Sequence, residues 1–453
     1  MTDITNATVK TLHSSLKKRE ISAEELCTEY LELIEAMNPD LKALTDVIGE
    51  EALCAAKNAQ LRLDKGEGGT LTGIPAIVND NILTEGLVTS CGSKMLENFI
   101  PPYNAGAVER LEDAGYVLLG KACVDEFGLG GSPRSGIAVS SGFSPYSLSS
   151  DTGGSIRRAS NFYGLTGLRP TYGRVSRYGL AAFAGSFDQI GPIARTAEDC
   201  AFVLNTIAVR DPRDATSFGN PDGSDFTEKI GTSIKGMKIA IPKEFFGDNI
   251  SDETKNAVLK ASKELEKQGA ILIDSSLEII EYTAEVFFII SSAEASSNLS
   301  RFDGVNFGLR GEGQTYFEQI VDSRNRGFGD EIKLRILFGN FVLSAQNYDD
   351  YFKKAKALRR KIKASYDEVL KTADAILAPS VSDSAHSQMF FADFCTVSSS
   401  LAGLPCVSTP CGYKATGLPI GMSLTGRRLG ESTVLQIADC FERVFAPELF
   451  DVR

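Results

Sequence analysis

Residues 151–160 read DTGGSIRRAS, and the fold turns on this stretch. Two adjacent glycines ahead of a serine let the backbone turn sharply and approach a ligand closely. Consecutive free N–H groups in such a turn can form an oxyanion hole around a serine nucleophile. A plain Gly-Ser turn carries the same letters, so the surroundings decide. From Gly128 to Ser160 the chain is rich in Gly and Ser, but Asp151, Ile156 and Arg157 interrupt it and apolar segments bracket it. That is not the composition of a linker.

Outward from this stretch, helical patterns alternate with short apolar strands. GIPAIVND (73–80) and YVLLGK (116–121) read as strands on either side of the helix VERLEDAG (108–115). Downstream come the strand MKIAIP (237–242), a helix over 252–268 capped by Ser251, and the strand AILID (270–274). A long basic helix near 348–371, the strands AILAPS (375–380) and LPIGMSLTG (418–426), and a helix over 431–445 complete the pattern. At the N-terminus Ser22 and Glu25 form a capping box ahead of Leu26, Tyr30, Leu33 and Met37, and another helix runs over 50–63. The alternation predicts an α/β fold around one large sheet. Residues 1–65 are expected to form a helical layer on a core spanning 66–453, the whole being one compact domain.

Composition narrows the function. Hydrophobic residues make up 43% and charged residues 23%, an ordinary globular balance. Lys and Arg number 47 against 59 Asp and Glu, a net charge of −12, which argues against a broad basic surface for nucleic acid. The basic run KALRRKIK (356–363) reads as a solvated helix face. No apolar run approaches a membrane span, and MTDITNATVK does not read as a signal peptide. Nine cysteines, an odd number without a CxxC pair, predict free and mostly buried thiols in the cytoplasm. With only His13 and His386, a zinc site or a histidine base is hard to build, so no metal is expected and any catalytic base should be another residue.

DTGGSIR, followed by GLTGLRPTYGRVSRYGL and SFDQIGPIART, resembles the amidase-signature family. KMLENFIPPY (94–103), SSAEASSNLSRFDGV (291–305), GFGDEIKLRILFGNFVLS (327–344) and LPIGMSLTG narrow the resemblance to the A-subunit group of the glutamyl-tRNA(Gln) amidotransferases. The resemblance implies a large mixed central sheet covered by helices on both faces and a Ser–cis-Ser–Lys triad. It implies hydrolysis of glutamine, the released ammonia passing to the B subunit. That partner would use ATP and Mg to activate glutamate on misacylated tRNA, with a small C subunit stabilising the pair. This chain itself would need no cofactor, and would meet tRNA only through the complex. By the same resemblance Ser155 is the nucleophile, and Thr152, Gly153 and Gly154 form the oxyanion hole. Arg335 and Asp393 would hold the carboxylate and amino groups of glutamine, with Phe288 beside it.

Four departures fall on the same pocket. The family lysine position holds Asn79, in Val78-Asn79-Asp80-Asn81, and asparagine accepts no proton at neutral pH. The lysines nearest in sequence are Lys65 and Lys94. The bridging cis-serine position falls on Gly131, with Ser132 a displaced candidate, and Pro133 and Arg134 stand where glycines are expected. Phe287 and Phe288 replace tyrosines, and the chain is shortened between Ala378 and Phe390. The expectation is an amidotransferase subunit whose amidase step is impaired. The alternatives are an enzyme active through a rearranged triad and a pseudo-amidase acting as a scaffold or partner-binding protein.

Overall fold

The apolar runs become strands of a single sheet. The computed structural model describes residues 4–130, 134–382 and 393–449, and among these are eleven strands: β1 (Leu44–Val47), β2 (Pro75–Asn79), β3 (Val117–Ala122), β4 (Tyr146–Asp151), β5 (Thr166–Arg169), β6 (Gln189–Ala194), β7 (Lys238–Pro242), β8 (Ile271–Ser275), β9 (Ala375–Pro379), β10 (Cys406–Tyr413) and β11 (Pro419–Gly426). They lie in the order β1-β3-β2-β4-β6-β5-β10-β11-β9-β7-β8. The sheet is mixed. Pairs β2–β3, β2–β4, β7–β8 and β7–β9 are parallel, and the rest are antiparallel.

Both faces of the sheet are covered. Along β7 and β9 successive side chains enter different apolar clusters: Ile239, Ala375 and Leu377 pack into one, Ala240, Ile376 and Ala378 into the other. Strand side chains alternate between faces, so each cluster is the core between the sheet and one layer of helices. This is why β2, β3 and β9 read as continuous apolar runs rather than alternating ones.

Near the N-terminus the capping box forms as expected. The Ser22 hydroxyl accepts from the Glu25 amide at 3.1 Å and the Glu25 carboxylate accepts from the Ser22 amide at 2.9 Å. The buried stripe of the helix Ala23–Leu41 is Ala23, Leu26, Cys27, Tyr30 and Ile34, Leu33 is partly buried against the same core, and Met37 is exposed. Spacings of three and four aim this stripe at the core. Residues 1–65 are not wholly helical: β1 pairs antiparallel with β3 and forms one edge of the sheet. The basic helix also differs from expectation, entering through a π-helical turn over Asp349–Lys353 before the helix Lys354–Val369.

Candidate active site

β4 ends at Asp151 and the helix Ser155–Tyr163 begins just beyond, with the two glycines as the turn between them. Gly154 has φ +126°, and a Cβ there would stand 2.4 Å from the Cβ of Thr396. A Cβ on Gly153 would meet Phe287 Cζ at 2.7 Å. Both positions therefore need glycine, one for conformation and contact, the other for contact alone. Ser155 is the first helical residue, and the first amides of a helix have no intrahelical acceptor. Together with the helix dipole they favour negative charge at this end, as an oxyanion hole requires.

Buried ionic contacts fix the turn. Arg157 donates from Nε and Nη2 to the two carboxylate oxygens of Asp151 at 3.1 and 2.8 Å, and Arg169 Nη1 donates to Oδ1 at 2.8 Å. Burial alone would raise the Asp151 pKa, but the two guanidiniums outweigh it and hold it down to about 2. Arg157 reaches on to the Thr396 carbonyl at 2.6 Å and to the hydroxyls of Ser399 and Ser400 on the helix Phe394–Ala402. The Thr152 hydroxyl donates to Asp188 at 2.6 Å, and Asp188 accepts the amides of Phe183 and Ala184. The strand and helix that flank Ser155 and the loop facing them are thus one hydrogen-bonded unit.

Ser155, Thr152 and Gly153 share a cavity with Arg158, Phe287 and Arg335. It measures about 30 Å³. Gly154 packs under Thr396 instead. Arg335 is buried, its Nε donating to Glu331 at 3.3 Å and its Nη1 to the Ser292 hydroxyl at 3.4 Å. Its guanidinium lies 4.2 Å from the centroid of Phe288. Phe288 therefore backs Arg335, and it is Phe287 that faces the cavity.

Asp393 does not line this cavity as the expected ligand for an amino group. It caps the helix Phe394–Ala402, one carboxylate oxygen accepting the Cys395 amide at 2.9 Å and the other the Ser382 amide at 2.8 Å. Burial raises its pKa, against the pull of those amides and of Arg158. Arg158 is the residue that motif reading passes over. It lies one helical turn after Ser155, on the same face, and brings to the cavity a cation whose charge is felt by Asp393.

The position of the expected base is at the end of β2, parallel to and beside β4. Asn79 is buried, and its side-chain oxygen accepts from the Ser149 hydroxyl at 3.3 Å, with Ser147 a further 3.1 Å along. A lysine does stand nearby, on the adjoining strand rather than nearby in sequence. Lys121 of β3 is fully buried, donating to the Thr84 hydroxyl at 2.9 Å and to the Ile82 carbonyl. Burial pushes its pKa down to about 8, with Asp80 opposing. It pairs with Val78, while Asn79 pairs with Ala122. Since adjacent side chains leave a strand on opposite faces, Lys121 lies across the sheet from Asn79. Gly131, Ser132 and Pro133, His386 and most of the shortened segment fall outside the described residues.

All nine cysteines are free, and all but Cys54 are buried. Among the described residues no cluster of three or more His, Cys, Asp or Glu could hold a metal ion, and no helix is long and apolar enough to cross a membrane.

The pattern of the family described as Amidase matches residues 25–137 and 130–435. The A subunit of glutamyl-tRNA(Gln) amidotransferase from Ruminiclostridium cellulolyticum is 41% identical over 477 residues, covering 98% of this chain and 98% of that protein. Its counterpart from Caldanaerobacter subterraneus subsp. tengcongensis is 42% identical over 479 residues, covering 98% and 97%. These alignments are longer than the 453 residues of this chain, as deletions within it require. The crystal structure of the glutamyl-tRNA(Gln) amidotransferase A subunit from Thermotoga maritima superposes with a TM-score of 0.78 at 33% identity, covering 98% of this chain and 96% of that one. A bacterial aryl acylamidase, 20% identical with a TM-score of 0.86 and 98% of each chain covered, shares the fold.

Proposed function

This chain belongs to the amidase family, within the A-subunit group of the glutamyl-tRNA(Gln) amidotransferases, and from that premise we propose that it takes the A-subunit place in such an assembly while its own glutaminase step is impaired. Its partners would be the B and C subunits in the cytoplasm. ATP and Mg would be used by the B subunit, and tRNA would be met only through the complex.

The observation that carries this reading is Asn79. A serine hydroxyl attacks slowly at neutral pH unless a base removes its proton. In the family that base is a lysine acting through a second serine. Here the corresponding side chain is a buried amide whose oxygen already accepts a hydrogen bond from the Ser149 hydroxyl, and an amide cannot take up a proton and return it to the leaving ammonia. Lys121 is turned to the opposite face of the sheet. What persists is the glycine turn and the helix N-terminus, which by analogy with triad knockouts support roughly 10³-fold acceleration over water. A positioned general base adds about 10²–10⁴-fold.

The small cavity favours a second reading, a pseudo-amidase that serves as scaffold and turns over no glutamine. Phe287, Arg158 and Arg335 narrow the cavity beside Ser155.

Ammonia release from glutamine, with and without the partner subunits and misacylated tRNA, tests the impaired reading. The expected rate is several orders of magnitude below that of a relative with an intact triad, and Asn79→Lys alone does not restore it, because the bridging position falls on Gly131 or on a displaced Ser132. Turnover near about one per second that disappears in Ser155→Ala would overturn it. Calorimetry separates the two readings: heat of glutamine binding supports the impaired enzyme, and its absence supports the scaffold.

A further inference from the structure

The helix Lys354–Val369 carries Lys356, Arg359, Arg360 and Lys363, a spacing of i, i+3, i+4 and i+7 that puts four cations on one face. In sequence that run reads as a solvated face. In the fold it forms one wall of a cavity of about 580 Å³, and the opposing walls bring in Arg428, Tyr172 and Phe218. Five cations thus converge on one concavity of a chain whose net charge is −12.

Carboxylates answer few of these charges. Lys363 pairs with Asp367 at 2.7 Å. At the rim Asp214 binds the Thr216 hydroxyl and the Arg177 amide. Arg359 is held by carbonyl groups, donating to Leu401 at 3.0 Å and Ser186 at 2.9 Å. Arg427 turns away to Asp374 at 3.1 Å, whereas its neighbour Arg428 lies 4.8 Å from the centroid of Phe218. Among the described residues no carboxylate pairs with Lys356, Arg360 or Arg428. The local chain geometry favours this placement of Arg428: Leu429 takes φ 67°, and its amide donates to the Thr171 hydroxyl at 3.0 Å.

Like charges gathered in a concavity raise the local potential and concentrate anions. Arginine and lysine together recognise phosphate through directed hydrogen bonds and point charge. The cationic row extends roughly 10 Å along the helix at 1.5 Å per residue, longer than a single phosphate needs. The cavity lies in the volume range of small-molecule sites and is too confined for a duplex. We infer that it binds a chain of linked phosphates, free or carried by a nucleotide.

Isothermal titration of the full chain with tripolyphosphate at low ionic strength tests this, with orthophosphate and ATP as parallel probes. Tripolyphosphate binds, its affinity falls as salt is added, and it falls at least about tenfold in Arg360→Ser/Arg428→Ser. Both substituted residues are exposed, so the fold is kept, and circular dichroism of the double variant checks it. Orthophosphate binds at least about tenfold more weakly. ATP matching tripolyphosphate identifies the phosphate chain as the whole ligand, and tighter ATP binding adds its base against Tyr172 or Phe218; either result upholds the site. No binding of tripolyphosphate or ATP at millimolar concentration overturns it. So does unchanged affinity in a folded double variant, or a single-stranded RNA that binds this face and is not displaced by tripolyphosphate.

Discussion

Asp151→Asn strikes the scaffold beneath Ser155. The side chains of Asp151, Arg157 and Arg169 are 0%, 1% and 0% exposed, so no water replaces the lost charge. Asparagine keeps the size of aspartate but removes the negative charge, and turns an N–H₂ group toward guanidiniums that need acceptors. Removing one partner of a buried ion pair costs about 3–5 kcal/mol, because an uncompensated charge stays behind. Two cations are stranded here, which places the loss at the upper end of that range. At roughly 2 cal/mol/K of unfolding entropy per residue, a chain of 453 residues loses about 1 °C of Tm per kcal/mol, so the melt should fall by about 5 °C. Protonation is the milder version of the same perturbation. Lowering the pKa from the ordinary 3.8 to about 2 corresponds to about 2.5 kcal/mol. The folded value is the depressed one, so this stability is present above pH 4 or so and is lost as the pH falls through about 2. The difference between the two figures reflects what remains: a protonated carboxyl keeps both oxygens, asparagine keeps one. Thermal and urea unfolding of wild type, Asp151→Asn, Arg169→Met and the double variant make the assay. The double variant should lose less than the sum of the singles, since the second change removes one of the stranded cations. A single variant that melts within a degree of wild type, or strictly additive losses, would refute the coupling.

Gly153→Ala should cost about 1–3 kcal/mol by driving a methyl into Phe287, and Phe287→Leu should recover part of the loss; a wild-type melt for the single variant would show that the contact has slack. Lys121, with its folded pKa near 8 against an ordinary 10.5, leaves the unfolded chain binding more protons between those values, so stability rises with pH there. Lys121→Met should flatten that rise, and equal slopes in unfolding titrations of the two proteins would count against a buried, proton-poor lysine. A thiol reagent should label Cys54 rapidly in the native protein and the other eight cysteines only on unfolding; a second fast thiol would contradict the packing.

Several elements are legible without coordinates because their signals are local. The runs that became β2, β3, β7, β8, β9 and β11 are apolar and bounded by turns, and Ser251 and Ser22 mark helix starts through their own hydroxyls. β4 is harder to read. YSLSSD is buried throughout, yet three of its six residues are serines. Two of these hydroxyls find partners on residues distant in sequence, Asn79 for Ser149 and Asn81 for Ser150. β10 hides for another reason: Pro410 interrupts its pattern, and the ladder accommodates it at an irregularity between Pro410 and Gly412.

The amino-acid sequence by itself determined the glycine turn that presents Ser155, and it determined that asparagine stands at position 79. Those are matters of side-chain chemistry and short-range geometry, carried by adjacent residues. Tertiary structure alone decided which groups surround them. The β3-β2-β4 order and its register put Lys121 beside Asn79 yet across the sheet from it. The same fold turned Asp393 into a helix cap and set Arg158 in the cavity. It also closed the basic helix against Arg428. Each of these depends on contacts between segments far apart in the chain, where distance and facing are set by strand order and register, which periodicity along the chain does not encode.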